Sequence, residues 1–460
     1  MTWLTLFELA DLCGGSLYGI DQQQAAQLQI ERVERDSRKV TAGDLFPALQ
    51  GEHFDAHTFV PQVVGRASAV LVAYPVEAAI PQVVVSNVRA AMGQLAAAWR
   101  NCFSQPVIAL TGSNGKTTLK EMITAILSEC GATHATRGNL NNDIGVPLTL
   151  YELRPDQHKY AVIEMGANHF GEIDYLTNIV RPDVAVLNNA GAAHLEGFGS
   201  IAGVARAKGE IFSGLSADGV AIINADDDYA EYWRELNTQR KVITFGFGEA
   251  AGVRGVWPGD GSLQIHYDGQ DFAVILPLLG QHNAMNALAA SAVALALGIS
   301  PDAIKRGLEK LQPVPGRLCP LRGAGGELII DDTYNANPAS ALAALQVLAQ
   351  QPGKKLLVLG DMGELGIDGL EMHAWVGREA AQLGIDAVYG VGELSMAACD
   401  AFGAGAVACR DMDELLGALN TLQLNEHNSV LVKGSRSARM ERVVQALSGA
   451  AGQQQEGSSC

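Results

Sequence analysis

The chain has 460 residues, of which 48% are hydrophobic and 18% charged, and it carries a formal net charge of −18. That length suits roughly three domains of about 150 residues each, and the composition is that of a folded protein rather than a disordered one. So acidic a surface repels phosphate backbones, which argues against nucleic acid as a main partner; any anionic ligand needs a local pocket of Lys, Arg and backbone N–H groups.

No run of 18 apolar residues occurs. The nearest stretch, 69–85, is broken by Pro75, Glu77 and Pro81, so no membrane insertion is expected. Glu8 and Asp11 near the start, with no basic lead-in, argue against a signal peptide. The seven cysteines never form a C-x-x-C pair, which speaks against a zinc site or a disulfide framework. The expected setting is the cytoplasm.

The first hundred residues show short apolar runs broken at Gly14-Gly15, Gly43-Asp44, Gly51, Pro61 and Pro81, followed by a helical stretch over 90–99. From Pro106 short strands alternate with longer helical patterns. Continuous apolar runs at 107–110, 161–165, 184–187 and 220–223 predict parallel strands covered on both faces. Gln312-Pro313-Val314-Pro315-Gly316 reads as a boundary or hinge. A second α/β series follows it, with strands over 328–330, 356–359, 387–391 and 430–432. After Ser448 the sequence is polar and reads as a frayed tail. The fold class is therefore α/β.

The sharpest local signal is the strand 107–110 running into Thr111-Gly112-Ser113-Asn114-Gly115-Lys116-Thr117-Thr118 and then a helix of about three turns ending near Gly131. Backbone N–H groups of such a turn converge on an anion and the helix start adds its positive end. Lys116 supplies a mobile charge, and Thr117 a hydroxyl for Mg²⁺. The pattern predicts ATP or GTP, although Leu110 stands where the common nucleotide loop has its first Gly. Glu164 ends another apolar run, where ligands of open α/β sheets collect, and is a direct or outer-sphere Mg²⁺ ligand by position. His194, in Asn188-Asn189-Ala-Gly-Ala-Ala-His194-Leu-Glu196, is either a second cation ligand or a structural histidine. Ser200 caps a helix that carries Lys208 among apolar neighbours; taken alone, Lys208 reads as an exposed helical lysine.

Together these pieces resemble the Mur ligase family. The phosphate loop, Asn189–Gly199, Ala207-Lys208-Gly-Glu and Gly280-Gln-His-Asn-Ala-Met-Asn286 fall in the family's order. Asp331-Asp-Thr-Tyr-Asn-Ala-Asn-Pro338, Leu359-Gly-Asp-Met-Gly-Glu-Leu-Gly366 and Lys433-Gly-Ser-Arg-Ser437 look like its subtype that adds D-alanyl-D-alanine to a UDP-N-acetylmuramoyl-tripeptide. The family's loop is Thr-Gly-x-x-Gly-Lys-Thr, which accounts for Leu110. Folylpolyglutamate synthase shares the loop and a lysine that, in this family, is carbamylated, but lacks a separate UDP-holding segment ahead of the loop.

The resemblance implies a small UDP-binding α/β domain over 1–100, a central ATP-binding parallel-sheet domain over 101–313 and a Rossmann-like domain over 314–460. It further implies that Lys208 is carbamylated and shares two Mg²⁺ ions with Thr117, Glu164 and His194. Asn283 would face adenine and Arg317 the γ-phosphate. Asp332 would hold the ribose, with Asp331 as the neighbouring alternative. Lys116, Lys208, Glu164, His194 and Arg317 are then the catalytic set. Ser37, Arg38, Asp44 and His57 fall on UDP-side loops, with Pro47 and Ala56 departing from the usual pattern, and Asn335, Lys433, Ser435 and Arg436 are expected to meet the dipeptide. Lys433 to Arg436 should open a helix. The chain is expected to act as a monomer, and no motif reads the third residue of the tripeptide.

Overall fold

A computed structural model describes residues 4–51, 54–192 and 195–449; His194 and the stretch after 449 lie outside them. Among these described residues three large sheets organise the fold. The first has five strands between Ser16 and Val84, parallel except for the edge strand Ser16–Tyr18, and a two-stranded ribbon of Leu4–Thr5 with Gln29–Ile30 stands beside it. The helix Val88–Arg100 follows. Its apolar face (Ala91, Met92, Leu95, Ala96) is buried, and it packs both on Leu6–Leu12 and on the central helices Gly145–Tyr151 and Glu172–Val180. One apolar core therefore runs from the first body into the second.

The central sheet has nine strands. Seven are parallel, from Thr133–Ala135 at one edge to Val253–Val256, with Val107–Thr111 flanked by Tyr160–Glu164 and Val184–Leu187. Val107–Thr111 is buried at every position because helices cover both faces, which is why its sequence does not alternate. The last two strands, Ser262–Tyr267 and Gln270–Ile275, form an antiparallel hairpin that the apolar-run reading did not anticipate.

The third sheet has six strands between Cys319 and Lys433, parallel except for Cys319–Arg322. The helix expected from Lys433–Arg436 does not form. A single 3-10 turn, Arg436–Ala438, stands there, and the helix begins only at Glu441. Arg439 adopts a left-handed conformation (φ 51°) and interrupts the path. Among the described residues no helix is long and apolar enough to cross a membrane.

Candidate active site

Three neighbouring parallel strands end on one side of the central sheet, and each contributes to one site. Val107–Thr111 leads into the turn 112–115 and the helix Lys116–Ser128. Gly115 is left-handed (φ 78°), and a Cβ there would stand 2.6 Å from Asn286 Oδ1, so only glycine fits. The segment after Val184–Leu187 pins the turn. The Asn114 N–H donates to Asn189 Oδ1 at 2.9 Å, and both Asn188 and Asn189 donate to the Asn114 carbonyl at 3.1 Å. Asn188 also donates to Asn286 Oδ1 at 2.9 Å, tying in the helix Gln281–Ala296.

Lys116 Nζ donates to the Gly112 carbonyl at 2.7 Å. Burial holds this ammonium below the ordinary lysine range, Glu164 works against that, and Arg317 adds to it. Glu164 ends Tyr160–Glu164 and is 2% exposed. Its Oε1 accepts from Asn141 Nδ2 at 2.8 Å, while its buried Oε2 has no hydrogen-bond partner. A buried carboxylate oxygen left unmatched is costly. In the cavity that Glu164 lines together with Thr117 and residues 113–115 of the turn, it is the donor a hard cation needs, so these residues fit Mg²⁺ held jointly by protein and phosphate oxygens.

Lys208 is 1% exposed and does not line the cavity. Its helix, Ile201–Gly209, is capped by Ser200, whose hydroxyl accepts from the Gly203 N–H at 3.1 Å. The reading of an exposed helical lysine is therefore corrected: the amine stands 5.6 Å from the Phe198 ring centre and 3.4 Å from the Ala167 carbonyl. Burial, then repulsion from Lys116, push its pKa down to about 7 against the pull of Glu172 and Glu210.

The third body meets this site directly. Arg317 follows the loop 312–316 and stacks on Tyr334, its guanidinium carbon 4.1 Å from the ring centre; its Nη2 donates to Thr117 Oγ1 at 3.1 Å. Asp332 and Lys433 end adjacent parallel strands in register, and Lys433 Nζ lies 2.5 Å from Asp332 Oδ2 and 3.0 Å from the Asn335 carbonyl. Asp331 instead accepts from the N–H groups of Gly316 and Thr333, so of the two aspartates Asp332 is the one facing the cavity. Ser435 is fastened to the Asp361 carbonyl, while Arg436 is exposed and lies 3.6 Å from Glu441.

One cavity of about 2260 Å³ is lined by Ser113–Thr118, Glu164, Asn283, Arg317, Asp332, Asn335, Lys433, Ser435 and Arg436. It does not reach Ser37, Arg38, Asp44 or His57. Asp44 is buried against Arg32 (2.7 Å) and the Thr41 N–H (2.7 Å). His57 stacks on Tyr74, its Nδ1 is 2.6 Å from Asp55, and its Nε2 accepts from the Ala73 N–H at 2.8 Å. Arg38 is exposed and paired with Asp36, and Ser37 offers its carbonyl to Arg66. Among the described residues of the first body, Asn87, Arg89 and Ala90 line the cavity. Sequence reasoning missed Asn141, Asn188 and Asn337; the last donates to Asn114 Oδ1 at 2.8 Å, and its one signal was the Asn-Pro step that opens the helix Pro338–Ala349.

A sequence profile of the Mur ligase middle domain matches residues 110–294, and a profile of the Mur ligase, glutamate ligase domain, matches 316–436. The UDP-N-acetylmuramoyl-tripeptide–D-alanyl-D-alanine ligase of Escherichia coli (strain K12) is 47% identical over 97% of this chain and 99% of its own. The chain belongs to the Mur ligase family. Among solved Mur ligase structures, MurF from Acinetobacter baumannii superposes with a TM-score of 0.91 at 43% identity, over 97% of this chain and 99% of that one. The MurF ligase of Thermotoga maritima in complex with ADP gives 0.82 at 30% identity, over 91% and 97%.

Proposed function

We propose that this Mur ligase is an ATP-dependent enzyme that joins D-alanyl-D-alanine to a UDP-N-acetylmuramoyl-tripeptide through an acyl phosphate, giving the pentapeptide precursor of peptidoglycan. The observation that carries this is the single cavity in which the phosphate turn, the orphaned Glu164 oxygen and the third-body loops converge. A relative from A. baumannii, named as the UDP-N-acetylmuramoylalanyl-D-glutamyl-2,6-diaminopimelate–D-alanyl-D-alanyl ligase, is 43% identical over 96% of this chain, which favours diaminopimelate as the third residue. We place the protein in the cytoplasm as a monomer, with 1–100 holding the UDP-sugar, 101–313 the ATP and 314–460 the dipeptide.

A free carboxylate is a poor electrophile, so amide formation first needs a better leaving group on the acyl carbon. The terminal carboxylate attacks the γ-phosphorus in line and expels ADP. The dipeptide amine then attacks the acyl carbon, forms the amide bond, loses a proton and expels phosphate. Lys116 and Arg317 both line the cavity and would oppose the charge of the transferring group. Thr117, Glu164 and His194 would hold Mg²⁺, which supplies charge neutralisation on the phosphates when bound. A lysine of pKa about 7 has a large neutral fraction at neutral pH, so Lys208 is suited to add to CO₂, releasing a proton and gaining a carboxylate-like head. Asn283 and Asp332 serve the nucleoside, while Asn335, Lys433, Ser435 and Arg436 shape the dipeptide end. On the UDP side Ser37 and Arg38 remain reachable; Asp44 and His57 act by fixing the loops around them.

Phosphate release from ATP, measured with each acid and amine in turn, tests the reading. Release that needs both UDP-N-acetylmuramoyl-tripeptide and D-alanyl-D-alanine supports it. Equal release with free glutamate and a folate, or with no acceptor, overturns it.

A further inference from the structure

We infer that Arg89 and Asp143 read the far end of the tripeptide's third residue, Arg89 taking a carboxylate and Asp143 an ammonium. The inference rests on the ligase reading above and concerns how that substrate is selected.

Arg89 lies in the first turn of Val88–Arg100, the element through which the described residues of the first body reach the cavity wall. Asp143 belongs to the central-body segment that also carries Asn141. The two side chains meet across the joint with a single contact of 3.2 Å, Nη1 to Oδ2, and are 45% and 40% exposed. Arg89 spends its Nη2 on the Gln50 carbonyl at 3.3 Å. A half-exposed pair with one N–O contact contributes little by itself, and the helix is already anchored by its buried apolar face. What the pair offers is a cation and an anion side by side on the cavity wall, able to exchange each other for the opposite charges of a zwitterion.

The reach agrees. Asn141 touches Glu164, beside which the reacting carboxylate must lie, and Asp143 is two residues further along, at most about 7 Å. The two amino-acid centres of a diaminopimelate are separated by four C–C bonds, about 5 Å when extended. Glu164, Arg89 and Asp143 line one cavity, and with the first centre near Glu164 a span of this order brings the second within reach of Arg89 and Asp143. Tyr175 lines the same wall, and Gly93 leaves room for its hydroxyl, since a Cβ there would collide with it. A lysine side chain brings only an ammonium, which would engage Asp143 and leave Arg89 without a counter-ion.

The experiment compares kcat/KM of the full-length enzyme for UDP-N-acetylmuramoyl-tripeptides ending in diaminopimelate, in its distal carboxamide and in lysine. Arg89→Gln should lower kcat/KM for diaminopimelate by about tenfold or more, chiefly through KM, and leave lysine within about threefold. The carboxamide should impose a similar loss on wild type and no further loss on Arg89→Gln, a comparison that stands even if the variant is poorly stable, because wild type alone must show the carboxamide penalty. Equal losses on all three substrates, or none, overturn the inference while leaving the ligase reading intact. Absence of turnover by wild type on every tripeptide overturns the ligase reading itself.

Discussion

Arg317 donates from Nη2 to Thr117 Oγ1 at 3.1 Å across two hundred residues of sequence, and the same guanidinium stacks on Tyr334. The third body thus places a fixed cation against the hydroxyl that opens the phosphate helix. Lysine keeps the charge but loses the flat stack and the directional fork. Arg317→Lys is therefore expected to lower kcat by about 100-fold, with a much smaller change in ADP affinity. Phosphate-release kinetics and calorimetric ADP titration check this; a wild-type kcat would show that charge alone suffices.

A second strand of the same closure runs through Asn337. Its Oδ1 accepts from the Ser340 N–H at 2.8 Å, capping Pro338–Ala349, and its Nδ2 donates to Asn114 Oδ1 at 2.8 Å. Aspartate caps a helix as well as asparagine but cannot donate. Asn337→Asp should keep the thermal midpoint within a degree or two while turning the phosphate-turn contact into acceptor against acceptor, lowering kcat about tenfold. Asn337→Ala loses the cap as well and should cost about 1 kcal/mol of stability. Equal kcat in wild type and Asn337→Asp would make the residue a cap and nothing more.

How much of this was legible beforehand depends on what each residue needs from the fold. Val184–Leu187 and Ala387–Val391 coincide with their apolar runs because strands buried on both faces must be apolar throughout. The hairpin at 262–275 is partly exposed and mixes polar with apolar residues, so only its turn announces it: Asp268 and Gly269 both carry positive φ (48° and 73°), the demand of a two-residue hairpin turn. In the site, Gly115, Lys116 and Glu164 were readable because strand end, turn and helix start are local. The amides of Asn114, Asn188, Asn286 and Asn337 carry no charge and no period, and only the fold brings them together. The burial of Asp44 and His57 was equally hidden, since it rests on Arg32 and on the Ala73 N–H.

Asn141 holds one oxygen of Glu164, which leaves the other without a partner in the protein and free for the proposed cation. Removing such an outer support loosens the ligand. Asn141→Ala should raise the Mg²⁺ concentration needed for half-maximal rate by about tenfold or more, with the rate largely restored at saturating Mg²⁺. A titration curve matching wild type would mean that the carboxylate is held by other means.

Lys208 makes a prediction through its chemistry. Lys208→Ala should lower turnover by at least about 100-fold and regain part of it when short carboxylic acids are added, because they can occupy the space of the proposed carbamate head. Turnover of wild type should also fall in CO₂-free buffer and return with bicarbonate. Wild-type rates in Lys208→Ala would remove the carbamate from the mechanism.

Acid stability offers a test away from the chemistry. His134 is buried, donates through Nε2 to the Thr149 carbonyl at 2.9 Å and stacks on His158. Burial, only partly offset by the Thr149 bond, lowers its pKa from 6.5 to about 4. Between those two values the unfolded chain takes up a proton that the folded one refuses, so stability is lost as pH falls through that window and is insensitive to this group above it. Glutamine retains an N–H donor for Thr149 but does not titrate. Relative to wild type, His134→Gln should therefore gain in thermal midpoint between pH 6.5 and 4.5, by about 5 °C over that interval. Parallel pH profiles for the two proteins would mean that His134 accepts its proton in the folded state as readily as in the unfolded one.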